Sequence, residues 1–297
     1  MERLQVHLKV PKEVEAYNQD QVELLRNSPF ILRYLEEHQM ELNDLYQNVP
    51  FFMKLIEEIH ECRACPGLSS CVKKEKGHVE VLRKIGVVQW VKTPCRYMIE
   101  QQQQLAKLRL YHFKKPSLQQ LGITFKQVDV RKEEPDYLRV FNQIVEWSVE
   151  PKKKGFYLFG APGVGKSYLM HCLANKFAND GKHVAFVNVL DFVAQNKPKI
   201  DFDLLDDLMS VDLLVLDDIG AEMVLSSTRD ELLFTILDAR MNEQKWTCFT
   251  SNFNLQQLEQ HFIKNQYGDE EPMKAIRIME RIKALATEVE VTGKSRR

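Results

Sequence analysis

The sequence predicts an α/β fold: a mostly parallel sheet around a phosphate-binding loop, preceded by a smaller, mainly helical, metal-binding unit. Three observations carry this. From Pro135 onward, short apolar runs alternate with helical stretches, the pattern of a parallel sheet buried on both faces. Residues 160–167 read G-x-x-x-x-G-K-S between an apolar run and a helical one. Four of the six cysteines, Cys62, Cys65, Cys71 and Cys95, lie close together in the front part. The chain's 297 residues, 44% hydrophobic, suffice for two domains. The expected division is 1–105 for the front unit, 106–134 for a linker and 135–297 for the sheet-bearing unit.

In the front unit, Ser28-Pro29 is an N-cap and first-turn pair, followed by apolar Phe30, Ile31, Tyr34 and Leu35. After Val49-Pro50, the residues Phe51, Phe52, Leu55, Ile56 and Ile59 make one apolar helix face leading to Cys62. The run VVQWV at 87–91 reads as a short strand. The polar stretch from Met98 to Pro135 holds the expected linker, with its four glutamines placed on a helix surface. Beyond it, the helix at 136–147 is followed by predicted strands GFYLFG, HVAFVNV, LLVLDD, WTCFTSN and EVEVT. Cys172 and Cys248 fall in apolar patterns and read as core residues.

The glycine loop sits where its chemistry requires, between a strand and a helix. Gly160, Gly163 and Gly165 let the backbone curl so that its N–H groups and the helix N-terminus face phosphates. Lys166 is placed to reach the β and γ oxygens of ATP, and the Ser167 hydroxyl to ligate Mg²⁺. The run LLVLDD ends in Asp217-Asp218 at the carboxyl end of a buried strand, where Mg²⁺ and an attacking water belong. Asp217 is assigned to the metal and Asp218 to the water. Asn252 ends the next strand, where its amide would orient water or sense the γ-phosphate.

The cysteine pattern is C-x₂-C-x₅-C-x₆-H-x₁₆-C, formed by Cys62, Cys65, Cys71, His78 and Cys95. Thiolates and imidazole suit Zn²⁺, and four of them close a structural tetrahedron. Cys62 and Cys65 form the C-x₂-C knuckle. His78 and Cys95 complete the expected set, with Cys71 the alternative to either. His60 is left as a helix-end residue.

The net charge of −1 argues against a nucleic-acid-coating protein, so any contact with DNA must be local. The short runs KPK at 197–199 and GKSRR at the end are the candidates. The N-terminus lacks the apolar run of a signal peptide, and no stretch approaches a membrane span. A cytoplasmic protein is expected.

In order, FGAPGVGKSYLM, LLVLDDIGAE, TSNF and AIRIMERI resemble the AAA+ ATPases, in the branch of the DnaC helicase loaders and the transposition helper IstB. With its cysteine-rich front end the whole chain resembles the primosomal helicase loaders of low-GC Gram-positive bacteria. The resemblance implies an ATPase that binds the hexameric DnaB-type replicative helicase, self-associates on it, contacts single-stranded DNA and works with other primosome proteins. It implies an arginine finger at Arg281, with Arg277 beside it, acting on a neighbouring subunit's nucleotide. It implies a second sensor at Arg297, with Arg296 the alternative.

Two departures bear on activity. Asp217-Asp218 stands where many AAA+ proteins have Asp-Glu, and Glu222 is close enough in sequence to contribute. The chain ends soon after its last strand, so no separate helical lid is expected. Slow hydrolysis by the isolated chain follows, rising on assembly. A P-loop kinase, a transposition helper and a nucleotide-stabilised scaffold are the competing readings.

Overall fold

The computed structural model describes residues 20–195, 202–226 and 228–295. Chain contacts divide it into two units, Met1–Gln103 and Gln104–Arg297.

The first unit follows from its caps and apolar faces. Helix α1 (Pro29–Glu37) starts at Ser28, whose hydroxyl accepts the Ile31 N–H, with Pro29 in the first turn. Helix α2 (Leu42–Gln47) opens on a reciprocal cap in which the Glu41 N–H donates to Asp44 at 2.8 Å. Helix α3 (Val49–Arg63) carries Phe52 and Leu55 inward. These pack with Ile31, Leu35 and Leu45 against Leu82 and Val88 of an antiparallel hairpin. The hairpin pairs β1 (His78–Ile85) with β2 (Val87–Pro94) and turns at Gly86, whose φ is 74°. The Tyr34 hydroxyl both donates to and accepts from the Leu82 backbone at 3.0 Å, fastening α1 to the hairpin. The sequence reading placed only the second of these strands. Helix α4 (Arg96–Leu110) then carries all four glutamines on exposed positions.

In the second unit the chain first forms β3 (Tyr111–His112), inside the stretch expected to be a linker. Helix α5 (Pro135–Val149) follows and presents Tyr137, Val140, Ile144 and Trp147 to the core. The remaining strands are β4 (Gly155–Phe159), β5 (Val184–Asn188), β6 (Leu213–Asp217), β7 (Trp246–Ser251) and β8 (Ala286–Glu290). Between them run α6 (Lys166–Asn179), α7 (Val189–Gln195), α8 (Phe202–Ser210), α9 (Phe234–Asn242), α10 (Leu255–Ile263) and α11 (Pro272–Leu285).

All the strand pairings of this sheet are parallel, in the order β3-β5-β6-β7-β4-β8. Its central strands are buried on both faces: every residue of β6 is inside, as the unbroken apolar run requires. Two apolar layers cover the sheet, one containing Leu169, Leu173 and Phe177 of α6 and the other Ile236 and Leu237 of α9 with Ile278 and Ile282 of α11. Cys172 and Cys248 are buried among core residues. The strand order decides the site: β7 lies between β4, which leads into the glycine loop, and β6, which ends in the carboxylates.

Candidate functional site

The glycine loop follows β4, and Gly160, Gly163 and Gly165 all have positive φ. Gly160 has no substitute, since a Cβ there would lie 2.2 Å from the Val291 carbonyl oxygen on the chain leaving β8. Lys166 and Ser167 open α6, at the helix end whose unpaired N–H groups favour anions. The Lys166 side chain is only 5% exposed. Its ammonium donates to the carbonyls of Gly160 (2.8 Å) and Ala161 (3.0 Å) and to Oδ1 of Asn252 (2.9 Å). The glycine loop and the end of β7 thus meet at one cation.

The other side of β7 reaches the carboxylates. Thr250 donates its hydroxyl to Oδ1 of Asp217 at 2.6 Å, and the Thr250 hydroxyl oxygen in turn accepts the N–H of Asp218 at 2.9 Å. Asp217 is 7% exposed, while Asp218 is half-buried with φ at 58°. One hydroxyl therefore fixes both the first carboxylate and the strained backbone of the second. Next to it, Ser251 donates to the Ile219 carbonyl at 2.6 Å and accepts the Phe253 N–H at 3.1 Å. Sequence reasoning missed Thr250 and Ser251. Their signal was two consecutive hydroxyls at the carboxyl end of a buried strand.

Glu222 is not directed to solvent. It is 3% exposed, and one carboxylate oxygen accepts the Gly220 N–H at 2.7 Å. The other has no hydrogen-bond partner among the described residues. Burial pushes its carboxyl up to about 6. The side chain braces the turn after β6.

Arg277 and Arg281 lie on one face of α11, their guanidinium carbons each 4.5 Å from the centre of the Phe234 ring on α9. Arg281 also pairs with Asp238 at 3.0 Å. Arg296 and Arg297 lie outside the described residues, as do Lys197, Pro198 and Lys199.

Cys62, Cys65, Cys71, His78 and Cys95 all line one cavity of about 780 Å³ in the first unit. Their spacing predicted convergence on a point, and in this the structure differs. Among the described residues no group of three His, Cys, Asp or Glu side chains is disposed to hold a metal ion. Two of them have other local partners: the Cys65 thiol donates to the Gly67 carbonyl, and His78 faces the Lys76 carbonyl and Glu75, each at 3.3 Å. The donor chemistry still fits zinc. The N–H groups of Gly77 and Lys73 hold the Cys71 thiol below its ordinary range, which favours thiolate, while burial pushes Cys62 up.

With this geometry in place, comparison with known proteins is informative. Residues 100–297 match the model of the family described as IstB-like ATP binding protein. The replicative helicase loader DnaI of Bacillus subtilis (strain 168) is 33% identical over 254 residues, covering 82% of this chain and 80% of that protein. The chain therefore belongs to the IstB-like ATP-binding family, together with DnaI. A crystal structure of DnaI superimposes with a TM-score of 0.56 at 35% identity, covering 64% of this chain and 99% of that one. The replicative helicase loader DnaC of Escherichia coli (strain K12) is 30% identical over 109 residues, 35% of this chain and 44% of that protein. The second unit is thus an α/β, AAA+ type ATPase fold, the ATP-binding class expected from its motifs. Among the described residues no helix is long and apolar enough to cross a membrane.

Proposed function

We propose that this chain is an ATP-driven loader of the replicative helicase. Its second unit binds and hydrolyses ATP, and its first unit, a separate domain, grips the hexameric DnaB-type ring so that the two are placed on single-stranded DNA. The observation that best supports this reading is the reach of the similarity to DnaI, a share of the chain larger than the second unit alone. The IstB-like match, by contrast, begins only at residue 100. A transposition helper would account for the second unit and leave the cysteine-bearing unit without a purpose.

The roles follow from the site. Lys166 moves its charge from the loop carbonyls to phosphate oxygens, and Asn252, already bonded to it, registers whether a γ-phosphate is present. Ser167 and Asp217 would hold Mg²⁺, which supplies charge neutralisation on the phosphates. Asp218 orients a water towards the γ-phosphorus, in line with the bond to the departing ADP oxygen. Thr250 keeps the two carboxylates in register. Arg281 of a neighbouring copy, with Arg277 beside it, completes the charge, and Arg297 is assigned to the second sensor. Hydrolysis is therefore weak until copies assemble on the helicase. The difference in helicase affinity between ATP and ADP states makes the nucleotide a switch.

In the first unit, Cys62 and Cys65 with two of Cys71, His78 and Cys95 would ligate one structural Zn²⁺. It would join the end of α3 to the base of the hairpin. The site is cytoplasmic, and other primosome proteins meet the assembly there.

Unwinding of a DNA fork that the helicase cannot enter alone tests the reading. Adding this chain with ATP should restore unwinding, and Lys166→Ala should not. Unwinding indifferent to the chain removes the loader role, and equal support by ATP and ADP leaves a scaffold.

A further inference from the structure

The seat of Arg281 carries an inference beyond the roles above. Each of its three guanidinium nitrogens is engaged within its own chain. Nε donates to Oδ1 of Asp238 at 3.0 Å, Nη2 pairs with the same oxygen at 3.0 Å, and Nη1 donates to the Arg277 carbonyl at 3.0 Å. Glu280 adds a weaker contact to Nη1 at 3.6 Å. Beneath the plane lies the Phe234 ring. The side chain is 19% exposed and Asp238 35%. The other carboxylate oxygen of Asp238 accepts from Asn242 at 3.3 Å, which holds the acceptor in place.

A guanidinium has five N–H donors in a fixed fork, suited to carboxylate and phosphate alike. The Nε–Nη2 edge of the fork is taken by Asp238, so a phosphate approaching along that edge would compete with the carboxylate. We propose that Asp238 is a positioning residue that seats Arg281 on its own chain, and that assembly exchanges this carboxylate for the phosphate oxygens of the neighbouring copy. Phe234 sets the plane of the guanidinium in the seat. Arg277 shares the ring but has no carboxylate partner among the described ion pairs. This rests on the reading that Arg281 acts between subunits.

Partly exposed ion pairs are weak, so the seat biases assembly without preventing it. Removing the charge should shift that bias by a factor of roughly two to five. The test measures hydrolysis per chain against protein concentration, with the helicase present. Asp238→Asn should lower the concentration for half-maximal stimulation by that factor, with the rate at high dilution and the thermal midpoint little changed. Asp238→Glu should restore wild-type behaviour. In an Arg281→Ala background, Asp238→Asn should produce no gain. A lower stimulated rate in Asp238→Asn, or a gain that persists without Arg281, overturns the proposal. An unmoved half-maximal concentration in Asp238→Asn beside a concentration-dependent wild type sinks the seat alone. A wild-type rate independent of concentration sinks the intersubunit reading and the seat with it.

Discussion

Replacing Glu222 by glutamine should stabilise the protein at neutral pH and not at acid pH. The carboxyl is 3% exposed, one oxygen is satisfied by the Gly220 N–H and the other has no hydrogen-bond partner among the described residues. Among the described residues no ion pair offsets the charge: His261, bonded to the Glu222 backbone, is held below its ordinary range by burial and is neutral at pH 7. The nearby Tyr157 hydroxyl is likewise driven up by burial, and the Glu288 and Glu222 charges add to this. The folded carboxyl at about 6 lies above its ordinary 4.5, so the native state binds the proton more tightly. The cost of the buried charge is complete above pH 6, fades as pH falls from 6 to 4.5 and is absent below. That interval corresponds to roughly 2 kcal/mol. Glutamine keeps the acceptor for Gly220, but its amide nitrogen inherits the unpartnered position, so the net gain is about 1–2 kcal/mol. In a unit of this size the melting temperature should rise by roughly 2–8 °C at pH 7.5 and converge with wild type near pH 4.5. Thermal unfolding followed by circular dichroism across this range is the assay. A variant less stable at pH 7.5, or a difference constant with pH, would refute the reasoning.

Lys166→Ala removes the cation joining the glycine loop to Asn252 and should weaken ATP binding by about ten- to a hundredfold, read by titration with a fluorescent nucleotide. Thr250→Val breaks the link between Asp217 and the Asp218 backbone; assembled hydrolysis should fall by at least about tenfold with little change in nucleotide affinity. Arg240 is fully buried, bonded to the Thr247 hydroxyl and to carbonyls of Leu208, Val211 and Trp246, and burial lowers it to about 10. Arg240→Leu orphans these acceptors and should cost on the order of 3 kcal/mol or more in urea unfolding; a loss under 1 kcal/mol would contradict that account. Purified chain should carry about one zinc per copy by atomic emission, the load of one four-ligand site. Chelation should then reduce helicity in the first unit and spare nucleotide binding, whereas removal without structural effect rejects a structural metal.

The legible parts of the fold were those with local signals. The glycine loop, the apolar strand ending in Asp217 and the helix after Val49-Pro50 each declare themselves within a few residues. Asn252 could be placed near the phosphates because parallel strands deliver their carboxyl ends to one edge. Its bond to Lys166 depends on β7 entering between β4 and β6, which no local pattern encodes. Strand β1 was missed although HVEV alternates and Gly86 follows, because the charges at Arg83 and Lys84 hid the pairing face. Strand β3 is two residues long and owes its place to the neighbouring β5. The Arg277 and Arg281 spacing was visible, whereas Asp238 and Phe234 join them only through the packing of α9 on α11. The five candidate zinc residues were found by spacing, but spacing does not dictate where each side chain turns.

The central claim is that both units act together on a helicase ring, under the control of ATP. Native mass spectrometry of the zinc-loaded chain with its own organism's replicative helicase, first with ATP and then with ADP, tests it most directly. The account predicts a complex of one helicase hexamer with several copies of this chain, about one zinc per copy, and a different occupancy in the two nucleotides. A helicase that stays uncomplexed in both would contradict it.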